Sequence, residues 1–482
     1  MSSINNKVIH ELESIVGKSR CMSMREDLFC YEYDGSIDKS LPIAVVLPKN
    51  KEEVANILKC LYKFNITVVG RGSGTGLSGG AIAPENSVQI VFSLMDKIID
   101  IDPANRIAEV EPGVINSNLN IEAQKFGLRY APDPSSQQAC SIGGNIAENA
   151  GGPHCLLYGV TSNHVLGIEV VLEQGQTVLL GGKLKESPGY DLRGVFIGSE
   201  GTFGLVTKVF LQLIEYPEST HTLLGIFPSI ESAGNAVSAI IGKGIVPAAL
   251  EMIDSLTIKS VEKVLKVGLP ENAGAVLIVE VEGLKEDTEI LRKEIEQLLW
   301  ESGSTEVLSA KDEKERIKLW SGRKKAIGSL GTIAPNYFIV DGVVPRTKIT
   351  FLVREVEKIS KLFNLPIANI LHAGDGNIHP CILFDEKTPG ILEKVLKAGS
   401  EILKICVNAG GSLSGEHGIG LEKKEQMPLL FSENDLNAMK NLRDVFSPST
   451  LFNPDKIFPN SIKGTPVLQN NPLKNAGKDS YI

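Results

Sequence analysis

The chain is 482 residues long, enough for two large folding units or about three of ordinary size. Hydrophobic residues make up 42% and charged residues 22%, a globular balance that excludes disorder, collagen and coiled coil. The net charge of −9 argues against a nucleic-acid footprint and requires that any anionic ligand be caught locally, by Arg, Lys or a metal.

Residues 1–40 read as a helical lead-in and loop. The stretch Met1–Arg20 is polar, without the apolar core of a signal peptide, and no apolar run reaches the roughly 18 residues of a membrane helix. The expectation is a cytoplasmic protein, peripheral to the inner membrane only through partner subunits. Seven cysteines (Cys21, Cys30, Cys60, Cys140, Cys155, Cys381, Cys406) are widely spaced and form no CxxC, which argues against a disulfide framework or a four-cysteine iron–sulfur cluster.

Residues 41–218 are glycine-rich, with short β-branched runs at Ala44–Leu47, Ile66–Val69, Val88–Phe92, Ala108–Val110, Gly167–Leu172 and Gly204–Leu213. The one clear helix is Lys51–Phe64, with Val54, Ile57, Leu58 and Leu61 on a single face. Together these predict an α+β unit. From about 219 the rhythm changes. Strand Leu223–Phe227 leads to the N-cap Ser229 and a helix that stops at Gly242–Gly244. Strand Ala248–Ile253, helix Ser255–Lys266, strand Ala275–Val281 and helix Glu286–Trp300 follow, the alternation of a ferredoxin-like sandwich. Further helices are expected at Asp312–Ile327, Thr347–Phe363 and Gly390–Asn408. Residues 461–482 read as a flexible tail. No internal repeat is visible.

Three glycine-rich stretches carry the chemistry of the first unit. Gly70-Arg71-Gly72-Ser73-Gly74-Thr75-Gly76-Leu77-Ser78-Gly79-Gly80 follows a strand, and its successive N–H groups can form a nest for a diphosphate. No GK[ST] follows, so it is not a P-loop. Gly74, Gly76 and Gly79 match the dinucleotide fingerprint, but Pro84 and the strand after it leave no room for the helix that fingerprint must open. The second stretch runs Ala131–Ser136 and Cys140–Gly152, and its small residues suit a flat ring lying against main chain. The third is Gly198–Thr207, a glycine turn entering a strand. Three such loops in order suggest one large cofactor.

The segments GRGSGTGLSGG, APDPSSQQACSIGGNIAENAGG and GSEGTFGLVT resemble the FAD-binding domain of the vanillyl-alcohol oxidase superfamily. Within it, the chain resembles the FAD-linked catalytic subunits of glycolate oxidase and the flavin-dependent D-lactate dehydrogenases, over about residues 25–460. The resemblance implies a two-part FAD-binding domain (41–218), a ferredoxin-like α/β-sandwich cap with the metal site (219–440), and a C-terminal return to the FAD domain (441–460). Carried over by position, Arg71, Gly72, Ser73, Gly74, Thr75, Gly76, Ser78, Gly79 and Gly80 hold the diphosphate. Pro132, Ser136, Gly143, Gly144, Asn145 and Asn149 line the flavin and ribityl chain. Glu200, Gly204 and Val206 lie near the adenosine, and Asn453 opens the closing NPxK-like segment. The first loop has no histidine for a covalent link, so dissociable FAD is expected, with His154 and His164 structural.

A second concentration of chemistry lies in Ile370–Pro380 and Ser414–Gly420. Strand, glycine turn and strand can set His372 beside His379, and the second loop supplies Glu416 and His417. Any one of these histidines alone is equally a hydrogen-bonded core residue. Together, two His and a Glu make a sound Zn²⁺ or Mn²⁺ ligand set with open positions. In the family, the matching His372, His379 and Glu416 are metal ligands and the matching His417 is the base. The implied reaction is oxidation of a 2-hydroxy acid, with the hydroxyl proton going to His417 and the C2 hydride to flavin N5. Arg323 matches the family's carboxylate-binding arginine, although flanked by Lys324 and Lys325 it also reads as a solvated helix charge. Asp341 and Arg346 are supporting candidates. Ile327 and Cys381 are apolar where the D-2-hydroxyglutarate enzymes carry polar groups, which favours glycolate or D-lactate over a diacid. Alternatives are a D-2-hydroxyglutarate-type dehydrogenase and a flavin transferase like the alkyl-glycerone-phosphate synthases. With no Rossmann unit and no cluster cysteines, electrons are expected to leave for an iron–sulfur subunit or an electron-transfer flavoprotein.

Overall fold

The computed structural model describes residues 3–185 and 188–460, so the tail read at 461–482 lies outside the described residues. Helix Lys51–Phe64 forms because Asn50 accepts from the Glu53 N–H and Val54, Ile57, Leu58 and Leu61 bury one stripe; Asn65 ends it in the left-handed region. It crosses over a small sheet in which strand Ser87–Val91 pairs in parallel with Ala44–Val46 on one side and Thr67–Arg71 on the other. The second part is a five-stranded antiparallel sheet, ordered Ile98–Asp102, Ile107–Val110, Leu205–Gln212, Val165–Val171 and Thr177–Gly181. Each part has its own core. The distal chain returns to the first: Leu451 and Phe452 are buried in it, and the Asn453 N–H donates to the Val68 carbonyl at 2.7 Å.

The cap is one eight-stranded sheet with a hydrophobic core on each face. Its first half, strands Ser219–Phe227, Ala249–Asp254, Ala275–Gly283 and Glu306–Ser309, has the ferredoxin-like spatial order fourth, first, third, second. The second half repeats that order with Asn336–Ile339 (and its continuation Gly342–Val343), Ile367–His372 and Asn377–Phe384; its fourth strand is reduced to a bridge between Val343 and Ser412. The halves join through Ala249–Asp254 and Ile367–His372, which puts Glu251 opposite His372. The repeat is one of topology, and the sequence reading did not show it. Two further differences have local causes. The helix expected over Asp312–Ile327 is two, Glu313–Lys324 and Ala326–Ser329, broken where Lys325 leaves helical angles. A helix at Glu433–Phe446, started by a Ser432–Asp435 capping box, spans the expected boundary at 440.

The cap is tied to the FAD-type domain by a buried ionic network. His154 Nδ1 lies 2.8 Å from Asp133 and its Nε2 3.2 Å from Glu280. Glu280 also accepts from both Arg316 Nε at 2.9 Å and Trp320 Nε1 at 2.7 Å, while Arg129 and Tyr158 reach Glu282, each at 2.6 Å. Burial by itself would make His154 less basic; Asp133 and Glu280 outweigh it and raise the group from 6.5 to about 10. A folded-state value above the unfolded one contributes stability that is whole below pH 6.5 and is lost as pH rises toward about 10. The melting temperature should therefore fall across that window, and His154→Gln should flatten the fall. A His154→Gln curve parallel to the wild type would discount the tether.

Candidate active site

The three glycine-rich stretches meet along one cleft of about 400 Å³. A Cβ at Gly72 would stand 2.1 Å from Ser141 Oγ and displace the hydroxyl that caps the following helix. The second stretch is less loop-like than its small residues suggest: Ile142–Glu148 is helical, with Ser141 Oγ accepting from the Gly144 N–H at 3.2 Å. Asn453 clasps the first and third stretches, donating from Nδ2 to the Gly80 carbonyl at 2.9 Å and the Glu200 carbonyl at 2.6 Å.

Arg71, Gly72, Ser73, Gly74, Thr75, Gly76, Gly80, Ser136, Gly143, Gly144, Asn145, Glu200, Gly204, Val206 and Asn453 all line this cleft. Ser78, Gly79, Pro132 and Asn149 stand behind the wall. The Ser78 carbonyl accepts from Leu421 and Glu422, and the Pro132 carbonyl from Asn116. Asn149 closes the Ile142–Glu148 helix and accepts from the Ser162 N–H, and Gly79 turns against Leu421 with φ +80°. Glu200 spends its carboxylate on the N–H groups of Ile419 and Gly420, at 2.7 and 2.6 Å. The cleft suits an FAD on its own evidence: main chain forms much of the wall, and Glu148 Oε2, Ser199 Oγ and Asn453 Oδ1 are buried in it without partners.

The same cleft is walled at its other end by Arg323, Lys324, Ile327, His372, His379, Glu416 and His417. The hairpin Ile367–His372 and Asn377–Phe384 sets the His372 and His379 rings 5.1 Å apart and perpendicular. Their Nε2 atoms lie 3.1 and 3.2 Å from the same oxygen, Glu416 Oε1. The far nitrogens face carboxylates, His372 Nδ1 to Glu251 at 2.7 Å and His379 Nδ1 to Asp341 at 3.7 Å. The acceptor behind His372 leaves its Nε2 lone pair free for a metal, whereas His379 Nδ1 stands beyond hydrogen-bond distance of Asp341. One ligand atom from each of His372, His379 and Glu416 falls within 4.8 Å of the others. The donor set fits a divalent ion. Burial would raise the Glu416 carboxyl, but His372 and His379 hold it well below its usual range.

The loop bearing Glu416 and His417 is built on Asp341. Its Oδ2 accepts from Ser414 Oγ at 2.6 Å, from the N–H groups of Gly415, Glu416 and His417 at 3.0, 3.3 and 3.0 Å, and from Lys423 Nζ at 3.1 Å. Gly151, from the FAD-type domain, approaches so closely that a Cβ would stand 2.9 Å from Glu416 Oε2. His417 stacks on His379 at 4.8 Å. Burial, seconded by His379 and Lys423 against the pull of Asp341, lowers His417 to about 4, so its imidazole is neutral at pH 7.

Arg323 is 3% exposed, not a solvated helix charge, and pairs with Glu251 at 2.6 Å. Lys324, read only as a flanking charge, also reaches the cleft. Cys381, taken as a wall residue, is fully buried beside Trp320 and Ala326 in the cap core and does not line the cleft; Ile327 does. Arg346 is not among the lining residues. Glu251, 1% exposed, escaped the sequence reading; its one signal is a charge inside the apolar run Ala248–Ile253.

A two-part cofactor domain with a capping sheet whose polar cluster shares its cleft is the architecture of a flavin-type enzyme. The comparisons agree. The FAD binding domain family matches residues 42–181, and the family of FAD linked oxidases, C-terminal domain, matches residues 216–457. The chain is 43% identical to glycolate oxidase subunit GlcD of Escherichia coli over 90% of its own length and 87% of that protein's. It is 34% identical to D-lactate dehydrogenase of Archaeoglobus fulgidus, over 86% and 90%. Among solved structures, p-cresol methylhydroxylase superposes with a TM-score of 0.80 at 15% identity, covering 95% of this chain and 97% of that one. Alkyldihydroxyacetonephosphate synthase does so with 0.74 at 18%, covering 93% and 84%. The chain belongs to the FAD-linked oxidase family and has the vanillyl-alcohol oxidase-type fold.

Proposed function

We propose that this enzyme oxidises a small 2-hydroxy acid, glycolate or D-lactate, to the 2-oxo acid, with non-covalent FAD as the immediate acceptor and Zn²⁺ or Mn²⁺ held by His372, His379 and Glu416. The observation that carries the reading is the single cleft that runs from the glycine stretches to the histidine cluster. When bound, FAD supplies a two-electron acceptor and the divalent ion supplies positive charge that acidifies the substrate hydroxyl.

The chain's own residues do the rest. Arg323 binds the substrate carboxylate with the planar fork that such a group requires. Ile327 gives the cleft an apolar wall that suits a short acid. His417 accepts the hydroxyl proton at Nε2, the nitrogen that faces Glu416 Oε1 at 3.9 Å. Asp341 holds the His417 backbone and so aims the ring.

Arg323→Ala should raise KM for the 2-hydroxy acid roughly 10–100-fold, the worth of a charge-assisted clamp, with a smaller change in kcat. An unaltered KM would remove Arg323 from substrate binding. The reading as a whole is tested by anaerobic titration of the purified protein with glycolate, D-lactate and D-2-hydroxyglutarate, watching flavin absorbance with and without chelator. Bleaching by the short acids, abolished by chelator, is expected. No bleaching by any of them would overturn it.

The electrons then leave for a non-nicotinamide acceptor on another protein, an iron–sulfur subunit or an electron-transfer flavoprotein. The scattered free cysteines support this, as does the name of the Escherichia coli relative, a subunit. Among the described residues no helix is long and apolar enough to cross a membrane.

A further inference from the structure

Glu251 sits within strand Ala249–Asp254, among apolar neighbours, on the seam where the two halves of the cap sheet join. Its Oε1 lies 2.7 Å from His372 Nδ1 and its Oε2 2.6 Å from Arg323 Nη2. Those two nitrogens are themselves only 3.4 Å apart. One buried carboxylate thus touches both the group read as a metal ligand and the group read as the substrate clamp.

We propose that Glu251 is the positioning residue that sets His372 and Arg323 together, aiming the one at the metal and the other at the substrate carboxylate. The inference rests on the reading of those two residues given above. The physical reason is tautomer and charge. An imidazole ligates only through a nitrogen without hydrogen, and an acceptor at Nδ1 keeps the proton there and turns Nε2 toward Glu416. Arg323 is held by a close ion pair on one nitrogen, while its Nε stays buried without a partner. That leaves donors of the guanidinium for a ligand in the cleft it lines. Glu251 is the one anion that the two groups share, each on its own oxygen. A change at Glu251 must reach metal affinity and substrate affinity at once, which no change at Arg323 alone should do.

The test uses FAD-loaded protein stripped of metal and titrated with Zn²⁺ or Mn²⁺ against a competing chelator, alongside KM for the acid that bleaches the wild type. Glu251→Gln is expected to weaken metal binding about 10–100-fold and to raise KM, with FAD content unchanged. Arg323→Ala should raise KM and leave metal affinity within about threefold. The KM effects of the two should fall short of additive in the double variant, as for groups sharing one contact. If Glu251→Gln does not fold, Glu251→Asp, which keeps the charge one methylene short, is read in the same way. Wild-type metal affinity in the variant that folds overturns the proposal and leaves the proposed function standing. A wild type that binds neither ion overturns both.

Discussion

Replacing His417 with alanine should leave a yellow, FAD-loaded protein whose flavin is reduced by the 2-hydroxy acid roughly 10²–10⁴-fold more slowly, the range of a positioned general base. The imidazole is neutral at pH 7 because burial pushes it down to about 4, so it can take a proton as found. Removing it should not dismantle the loop. Asp341 grips the chain through the backbone N–H groups of Gly415, Glu416 and His417, and these survive the substitution. The glycine stretches that line the cleft lie on other elements. The effect should therefore appear in the rate of flavin reduction, measured anaerobically by stopped flow, and not in FAD content. An unchanged reduction rate would strike His417 from the mechanism.

What could be read from the residues alone divides along a physical line. Local devices were legible. Lys51–Phe64 carries its cap, its apolar stripe and its left-handed stop within 16 residues, and its limits agree with the sequence reading. Ser229 as an N-cap and the hairpin that pairs His372 with Asn377 are of the same kind. The Ser432–Asp435 box and the stripe of Leu436, Met439, Leu442 and Phe446 after it were present but unread. The helix Ile142–Glu148 was hidden by its Gly143–Gly144 pair, which propensity alone assigns to a turn.

Long-range assignments were the ones missed. Glu251 meets Arg323 and His372 across 72 and 121 residues of chain, and only the sheet register makes them neighbours. Glu200, expected near the adenosine, lines the cleft, but the closure of its carboxylate on the N–H groups of Ile419 and Gly420 some 220 residues on was not foreseen. Cys381 was judged by its spacing from His379, but spacing does not say which side chains a core covers. The apolar character of the substrate wall therefore rests on Ile327 alone of the two residues first named.

Glu416→Gln should abolish divalent-metal binding and slow flavin reduction on the order of 10³-fold, several kcal/mol of charge stabilisation at the substrate oxygen. The site concentrates on one atom: Glu416 Oε1 faces both His372 Nε2 and His379 Nε2, at 3.1 and 3.2 Å. An amide in its place keeps the size and loses the charge. The backbone N–H of residue 416 still reaches Asp341, so the loop and His417 stay where they are. The loss should therefore resemble that of chelated wild type, with one difference. Adding Zn²⁺ or Mn²⁺ should restore the chelated wild type and leave Glu416→Gln inactive. If Glu416→Gln kept more than about a tenth of the wild-type reduction rate without metal, the His372, His379 and Glu416 group would be an ionic strut, and acidification of the hydroxyl would have to come from His417 and Arg323 alone.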